Sequence, residues 1–175
     1  MLSILEQLQI TPIWPAVVVV DADDDTVATG DYVTLKDFES VVVLVAFGDG
    51  TATSGDIDIE LYQATDTSGT SAKVLNALET GRIWSKVNAT TVAAVAQWTK
   101  ETQATADEIY DDETSGEKLG MIACEIRAAD LDVAGGFNSI RADLDTITSA
   151  KLVCGLYILG NPKVQTAADL MPSVL

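Results

Sequence analysis

The chain has 175 residues and contains no histidine. Histidine is the most frequent general base and metal ligand, so its absence removes every Ser-His and Cys-His catalytic arrangement. Neither a GxxxxGK[ST] nor a GxGxxG sequence is present, and no phosphate-binding loop is predicted. We therefore expect a protein that is not an enzyme, with no catalytic residues, no cofactor and no metal site.

Long hydrophobic runs and cysteines are scarce as well. The longest apolar runs, residues 16–20 and 41–47, are much shorter than the ~18 residues that a membrane-spanning helix needs. The first residues lack a basic segment and a small-residue cleavage site, so we expect no signal peptide and no membrane partner. Cys124 and Cys154 lie in apolar, strand-like segments. We expect buried free thiols, with a disulfide between adjacent strands as the alternative.

Basic residues are few. The 10 Lys and Arg stand against 27 Asp and Glu, which gives a net charge of −17. Such a chain repels phosphate backbones, so we expect no nucleic-acid partner. The excess of acid fits either simple solubility or a specific basic partner surface, and the composition does not decide between them.

The abundant carboxylates offer two candidate sites. Asp56, Asp58 and Glu60 share one face of an alternating strand, where a glycosidase would place a carboxylate pair. Residues 21–26 and 111–113 are acidic loops of the kind that bind calcium, but the first lacks the spacing of an EF-hand. A row of acids on a strand or loop is far more often a solvated surface, and this is our interpretation of all three.

Short β-branched and alternating segments dominate the chain. The clearest predicted strands are residues 16–20, 32–35, 40–47, 56–62, 121–126, 138–144 and 152–159. The continuous apolar run 40–47 predicts a central strand buried on both faces. Residues 73–100 give a weaker signal for further short strands, and residues 101–118 predict a long exposed loop. Trp84 and Trp98 lie in or near this weakly patterned region, where they serve either core or subunit packing or the stacking of sugars.

This pattern predicts an all-β protein: a single-domain antiparallel β-sandwich or jelly roll with a short N-terminal arm. We place the arm at residues 1–15, the sandwich at 16–162 and a C-terminal tail at 163–175. The arm is expected to be a short amphipathic helix or a docking segment. Its candidate partner-binding residues are Leu2, Ile4, Leu5, Leu8 and Trp14. The alternative is that the arm packs on its own domain.

Two stretches of the chain carry a resemblance. One is DYVTLKDF, followed by SVVVLVAFGDG and DIDIELYQATDTSGTSAKVL; the other is LDVAGGFNSIRADL, followed by SAKLVCGLYILGNPK. They resemble the jelly-roll decoration, or cement, proteins of tailed-phage capsids. The resemblance covers residues 31–75 and 121–163, and residues 76–120 match no known pattern.

The resemblance implies a structural virion protein on the capsid surface, assembled in the host cytoplasm. It would bind the major capsid protein, form a homo-oligomer with a trimer favoured, and stabilise the shell by bridging capsid subunits. Two other functions stay open from the residues. One is a tail, neck or fibre-associated β-domain of a virion, and the other is a carbohydrate-binding or adhesion module.

Overall fold

The computed structural model describes residues 8–14, 18–20, 29–48, 58–75, 82–89, 97–103, 108–110, 119–144 and 151–163. These residues form a sandwich of two sheets. The larger sheet contains β1 (Leu8–Pro12), β2 (Val18–Val20), β4 (Phe38–Phe47), β7 (Ile83–Ala89), β8 (Thr99–Glu101), β10 (Leu119–Arg127) and β12 (Lys151–Pro162). The smaller sheet contains β3 (Val33–Thr34), β5 (Ile59–Ala64), β6 (Lys73–Val74), β9 (Glu108–Tyr110) and β11 (Ser139–Leu144).

Neighbouring strands pair antiparallel in both sheets. The order in the larger sheet is β1-β12-β4-β10-β7-β8, with β2 also paired to β12. The order in the smaller sheet is β3-β11-β5-β6, with β9 also paired to β5. The chain crosses between the sheets from β3 to β4 to β5 and again from β10 to β11 to β12. The predicted all-β sandwich is confirmed.

The core lies between the sheets and follows the period of two. In β4, Val41, Val43 and Val45 point inward and are at most 1% exposed, while residues 40, 42, 44 and 46 are half-buried on the outside. The central position of this strand is confirmed, but its burial on both faces is wrong for the described residues, because the smaller sheet covers only one face. In β5, Ile59 and Leu61 are fully buried, as the alternating sequence predicts.

Two other expectations need correction. The arm is not helical where the structure describes it, because residues 8–12 form β1, whose backbone pairs with β12. Residues 101–118 are not entirely an exposed loop, because β9 lies within them and buries Ile109 and Tyr110. A strand of three residues among polar neighbours is too short to show a period of two. The weakly predicted strands in 73–100 are present as β6, β7 and the start of β8.

The chain turns into the core directly after β1. Ile13 donates its backbone N–H to the carbonyl of Gly155 at 2.9 Å, and Trp14, only 4% exposed, lies against the same glycine. A Cβ atom at residue 155 would overlap the indole ring of Trp14 and lie 2.9 Å from the Ile13 Cδ1. The missing side chain at this point of β12 is therefore what allows Trp14 to pack inside the sandwich.

Tyr157 joins the two sheets through its phenol. The backbone N–H of Ala142 in β11 donates to the Tyr157 hydroxyl at 2.7 Å, and the hydroxyl donates to the Asp31 carbonyl at 3.1 Å. Burial raises the pKa of Tyr157, so the phenol stays protonated and can donate. Because β3 pairs only with Ser139 and Ile140, this phenol satisfies a buried N–H that lies beyond the end of β3.

We predict that Gly155→Ala lowers the free energy of unfolding by about 1–3 kcal/mol, since an added methyl group overpacks the Trp14 contact. Chemical denaturation followed by tryptophan fluorescence measures the change. Gly160→Ala is the matched control in the same strand, because its Cβ would lie 3.5 Å from Leu8 and 3.7 Å from Ser40, which are ordinary contacts. Equal effects of the two substitutions would contradict the role assigned to Gly155.

Candidate functional site

The outer face of the larger sheet is unusually apolar. Strand register places one outward row across five neighbouring strands, consisting of Pro12, Leu156, Leu44, Ala123 and Trp84. At a strand spacing of ~4.8 Å, this row is about 19 Å long. The rows on either side begin with Ile10, Ile158 and Val42 and with Cys154, Ala46 and Met121. In a sandwich, the strand face that meets water usually carries polar residues. The residues named in these three rows are apolar instead.

We call the β1, β12 and β4 part of this face the aliphatic half. It consists of the outward residues Ile10, Pro12, Leu44, Leu152, Leu156 and Ile158. Ile10 is 51% exposed and Leu152 is 58% exposed; Pro12 is exposed as well, and the remaining three residues are half-buried. The half follows from the sequence of β12, whose apolar run places leucine and isoleucine on the outside as well as on the inside. A contiguous exposed apolar patch is a mark of an interaction site.

Charge is distributed unevenly over this face. Although the chain has 27 acidic residues, two exposed or half-buried carboxylates lie on the described parts of β12, β4, β10 and β7: Glu125 in the middle of β10 and Glu39 at the start of β4. Lys86, Lys100 and Arg127 also lie at outward positions, all on β7, β8 or β10. The aliphatic half carries no charge, so a partner can cover it without desolvating an ion.

A groove adjoins the aliphatic half at Val42 and extends toward β7 and β8. We call it the tryptophan groove; it is an open cavity of about 400 Å³ lined by Val42, Trp84, Trp98, Ala123 and Glu125. Trp98 is 46% exposed, and Trp84 is half-buried. Lys100 lies opposite Trp84 in the register of β7 and β8. The Arg127 Nε lies 3.6 Å from the Glu125 Oε1, which is a loose contact between two partly exposed side chains.

The outer face of the smaller sheet has a different character. The Arg141 guanidinium lies 4.7 Å from the ring centre of Tyr62 and 5.0 Å from that of Tyr32, and it contacts Asp143 at 2.6 Å. Tyr62 donates its hydroxyl to Glu60 at 2.6 Å, and this bond raises the pKa of Tyr62 to about 12. Asp143 is only 3% exposed and also accepts the backbone N–H of Gly30 at 2.9 Å, so part of this face is covered by the chain itself.

The acidic row that suggested a glycosidase lies partly on this face. Glu60 sits directly opposite Asp143 and carries the hydrogen bond from Tyr62, while Asp58 is 9% exposed. Asp56 and the acidic loops 21–26 and 111–113 lie outside the described residues. In the described part of the chain, no group of three acidic or cysteine side chains is arranged to hold a metal ion. There too, no helix has the length and apolarity that crossing a bilayer demands.

The predicted partner-binding residues fall into three groups. Leu2, Ile4 and Leu5 lie outside the described residues. Leu8 begins β1 and is half-buried against the end of β12. Trp14 is buried inside the sandwich, so the described part of the arm packs on its own domain. The outward residues of β4 and β12 were not among the predicted partner-binding residues. Both strands lack polar residues at alternate positions. This pattern predicts that both faces are buried, but it does not predict a partner-binding surface.

The two cysteines lie on opposite faces of the larger sheet. Cys124 points into the core, and burial raises its pKa to about 12. Cys154 is exposed on the outer face, beside Ala46 of β4. Both thiols are free, and β4 separates their strands. The expectation of two buried thiols is therefore confirmed for Cys124 and wrong for Cys154, because the outward side of β12 is not covered by the smaller sheet.

We predict that a maleimide modifies one thiol per native chain, and that this thiol is Cys154. The Cys124 thiol is buried and stays protonated at neutral pH, and both properties suppress its reaction. Intact mass and peptide mapping measure the adducts. The chain unfolded in denaturant is the control and should carry two adducts. A native chain labelled at Cys124 would contradict the orientation of β10.

No family model and no curated protein matches this chain. Solved structures similar to it include YomS, an SPBc2 prophage-derived protein, with 10% identity over 86% of this chain and 92% of that one and a TM-score of 0.37. Another is the CBM22-1 and GH10 region of Clostridium thermocellum endo-1,4-β-D-xylanase 10B complexed with xylohexaose. It has 9% identity over 94% of this chain and 28% of that one, with a TM-score of 0.35. Similarity at these TM-scores does not indicate a shared function.

Proposed function

We propose that this chain is a non-enzymatic structural protein of a phage virion. It binds the outer surface of the capsid and stabilises the shell by bridging subunits of the major capsid protein. The observation that carries the proposal is the uncharged aliphatic half of the larger sheet, in a chain whose net charge is −17. The resemblance of residues 31–75 and 121–163 to capsid decoration proteins supports the same function.

The two outer faces suit a protein that lies on a shell. The aliphatic half supplies the apolar centre of an interface, and Lys86, Lys100 and Arg127 supply charged groups farther along the same sheet. The outer face of the smaller sheet, with its polar cluster of Glu60, Tyr62 and Arg141, is left free of the shell. Binding that occurs only on the assembled shell stabilises that shell by mass action.

The capsid is a better occupant of the aliphatic half than a second copy of the chain. Two copies that share this face would be related by a two-fold axis and would form a dimer. They would also bring two net charges of −17 together. In the trimer that we propose, the subunits therefore meet through other surfaces, and the aliphatic half stays available to the shell.

We predict a fixed ratio of this protein to the major capsid protein in virions. Quantitative mass spectrometry on gradient-purified particles measures the ratio. One copy, or one third of a copy, per capsid subunit is expected for a protein that covers the shell. A few to some tens of copies per particle would instead indicate a tail, neck or fibre component. Absence from the particle would refute a virion function altogether.

We predict that a maleimide adduct at Cys154 abolishes binding to capsids that lack the protein, because it places a bulky group between Leu152 and Leu156 within the aliphatic half. Co-sedimentation with such capsids measures binding. The matched control carries Cys154→Ser and Thr67→Cys, which moves the reactive thiol to an exposed loop after β5. Its adduct should leave binding unchanged. Full binding by the Cys154 adduct would show that another surface contacts the shell.

A further inference from the structure

We propose that the tryptophan groove binds a neutral carbohydrate, with a pyranose ring stacked on the indole rings of Trp84 and Trp98. The inference goes beyond capsid binding, which is assigned to the aliphatic half. The two surfaces adjoin at Val42, which lines the groove and lies opposite Ile158, and the two indoles lie on the far side of the groove.

The two indoles are the first argument. Trp98 is 46% exposed, whereas Trp14 is 4% exposed in the core of the same protein. Leaving so large an apolar ring in water is costly unless a ligand covers it. A pyranose has a flat face of C–H groups that matches an indole ring in size and polarity, and its hydroxyl groups point away from that face toward water or polar side chains.

The shape of the groove is the second argument. Its floor is formed by Val42 and Ala123, both small, and Ala123 lies directly beside Trp84 in the register of β10 and β7. A larger side chain at residue 123 would fill the space next to the indole. The volume of about 400 Å³ lies within the roughly 300–1,000 Å³ usual for small-molecule sites.

The polar groups select a ligand with hydroxyls. Glu125 lines the groove and can accept hydrogen bonds from hydroxyl groups, and Lys100 lies opposite Trp84, where it can donate to them. An apolar peptide side chain would leave the Glu125 carboxylate desolvated with no gain. Polar side chains beside the two indoles fit a sugar better than a purely hydrophobic occupant.

Charge makes the ligand neutral. The chain as a whole is at −17 and repels anionic polysaccharides at long range. Near the groove, Lys86, Lys100 and Arg127 oppose a cationic ligand, and Glu125 opposes an anionic one. A cationic ligand is attracted at long range but repelled near the groove, and an anionic ligand is repelled at long range and by Glu125. A neutral glycan meets none of these repulsions.

We test the proposal by titrating the full chain with cellohexaose, mannohexaose and chitohexaose, with hexagalacturonate as the anionic comparison. Tryptophan fluorescence and isothermal calorimetry measure binding, and Trp14 contributes a constant background because it is buried. At least one neutral oligosaccharide is expected to bind with a dissociation constant on the order of 0.1–1 mM, as suits an open groove. If none of the three produces a saturable change up to 10 mM, on the order of ten times that constant, the proposal is wrong.

Two variants locate the site. Trp98→Ala should weaken binding by about tenfold or more, by analogy with other stacked rings, and Glu125→Gln by several-fold. Val133→Ala is the control, because Val133 is 63% exposed and lies outside the groove. Thermal unfolding checks that each variant is folded. Binding that survives Trp98→Ala in a folded protein would place the sugar elsewhere and overturn the assignment.

The outcome is separate from that of capsid binding. Trp98→Ala should leave co-sedimentation with capsids unchanged, and a maleimide on Cys154 should leave the oligosaccharide titration unchanged. Loss of capsid binding in Trp98→Ala would show that the groove contacts the shell and would overturn the assignment to a glycan. Failure of capsid binding in the native chain, with sugar binding intact, would refute only the virion function.

Discussion

Strand β4 sets the constraint on which the rest of the structure depends, because apolar side chains occupy both of its faces through most of its length. Val41, Val43 and Val45 face the smaller sheet and are fully buried, whereas Val42 and Leu44 face outward. A sandwich of two layers covers only one side of its central strand. The neighbour β12 repeats the pattern, so an uncovered apolar surface is a direct consequence of how this sequence satisfies its core.

Much of the fold could be predicted from the sequence, since alternation and β-branching are local signals. Residues 56–62 alternate, and the structure buries Ile59 and Leu61 accordingly. The errors occur where tertiary pairing decides. Residues 2–10 carry helix-compatible spacing, but residues 8–12 pair with β12, and Gly155 creates the space that lets Trp14 pack in the core. Neither the partner strand nor the missing side chain is visible from within the first fifteen residues.

The candidate sites were harder to predict than the fold. The physical reason differs between the aliphatic half and the tryptophan groove. The sequences of β4 and β12 have few polar residues at alternate positions, which indicates apolar side chains on both faces. Such a run does not indicate whether protein or solvent covers the second face. The tryptophan groove depends on register. Ala123 and Trp84 are 39 positions apart in sequence and become neighbours only because β10 pairs with β7.

The division of one face into two halves also limits what can bind at once. Cys154 on β12 and Trp98 just before β8 are separated by the strands β4, β10 and β7. At ~4.8 Å per strand, the distance from β12 to β8 is about 19 Å. A protein surface that rests on β1 and β12 therefore leaves the two indoles near β7 and β8 open to a sugar, although the groove reaches the aliphatic half at Val42. A rigid sheet that holds both surfaces needs no hinge between them, since the ladder from β12 to β8 is continuous.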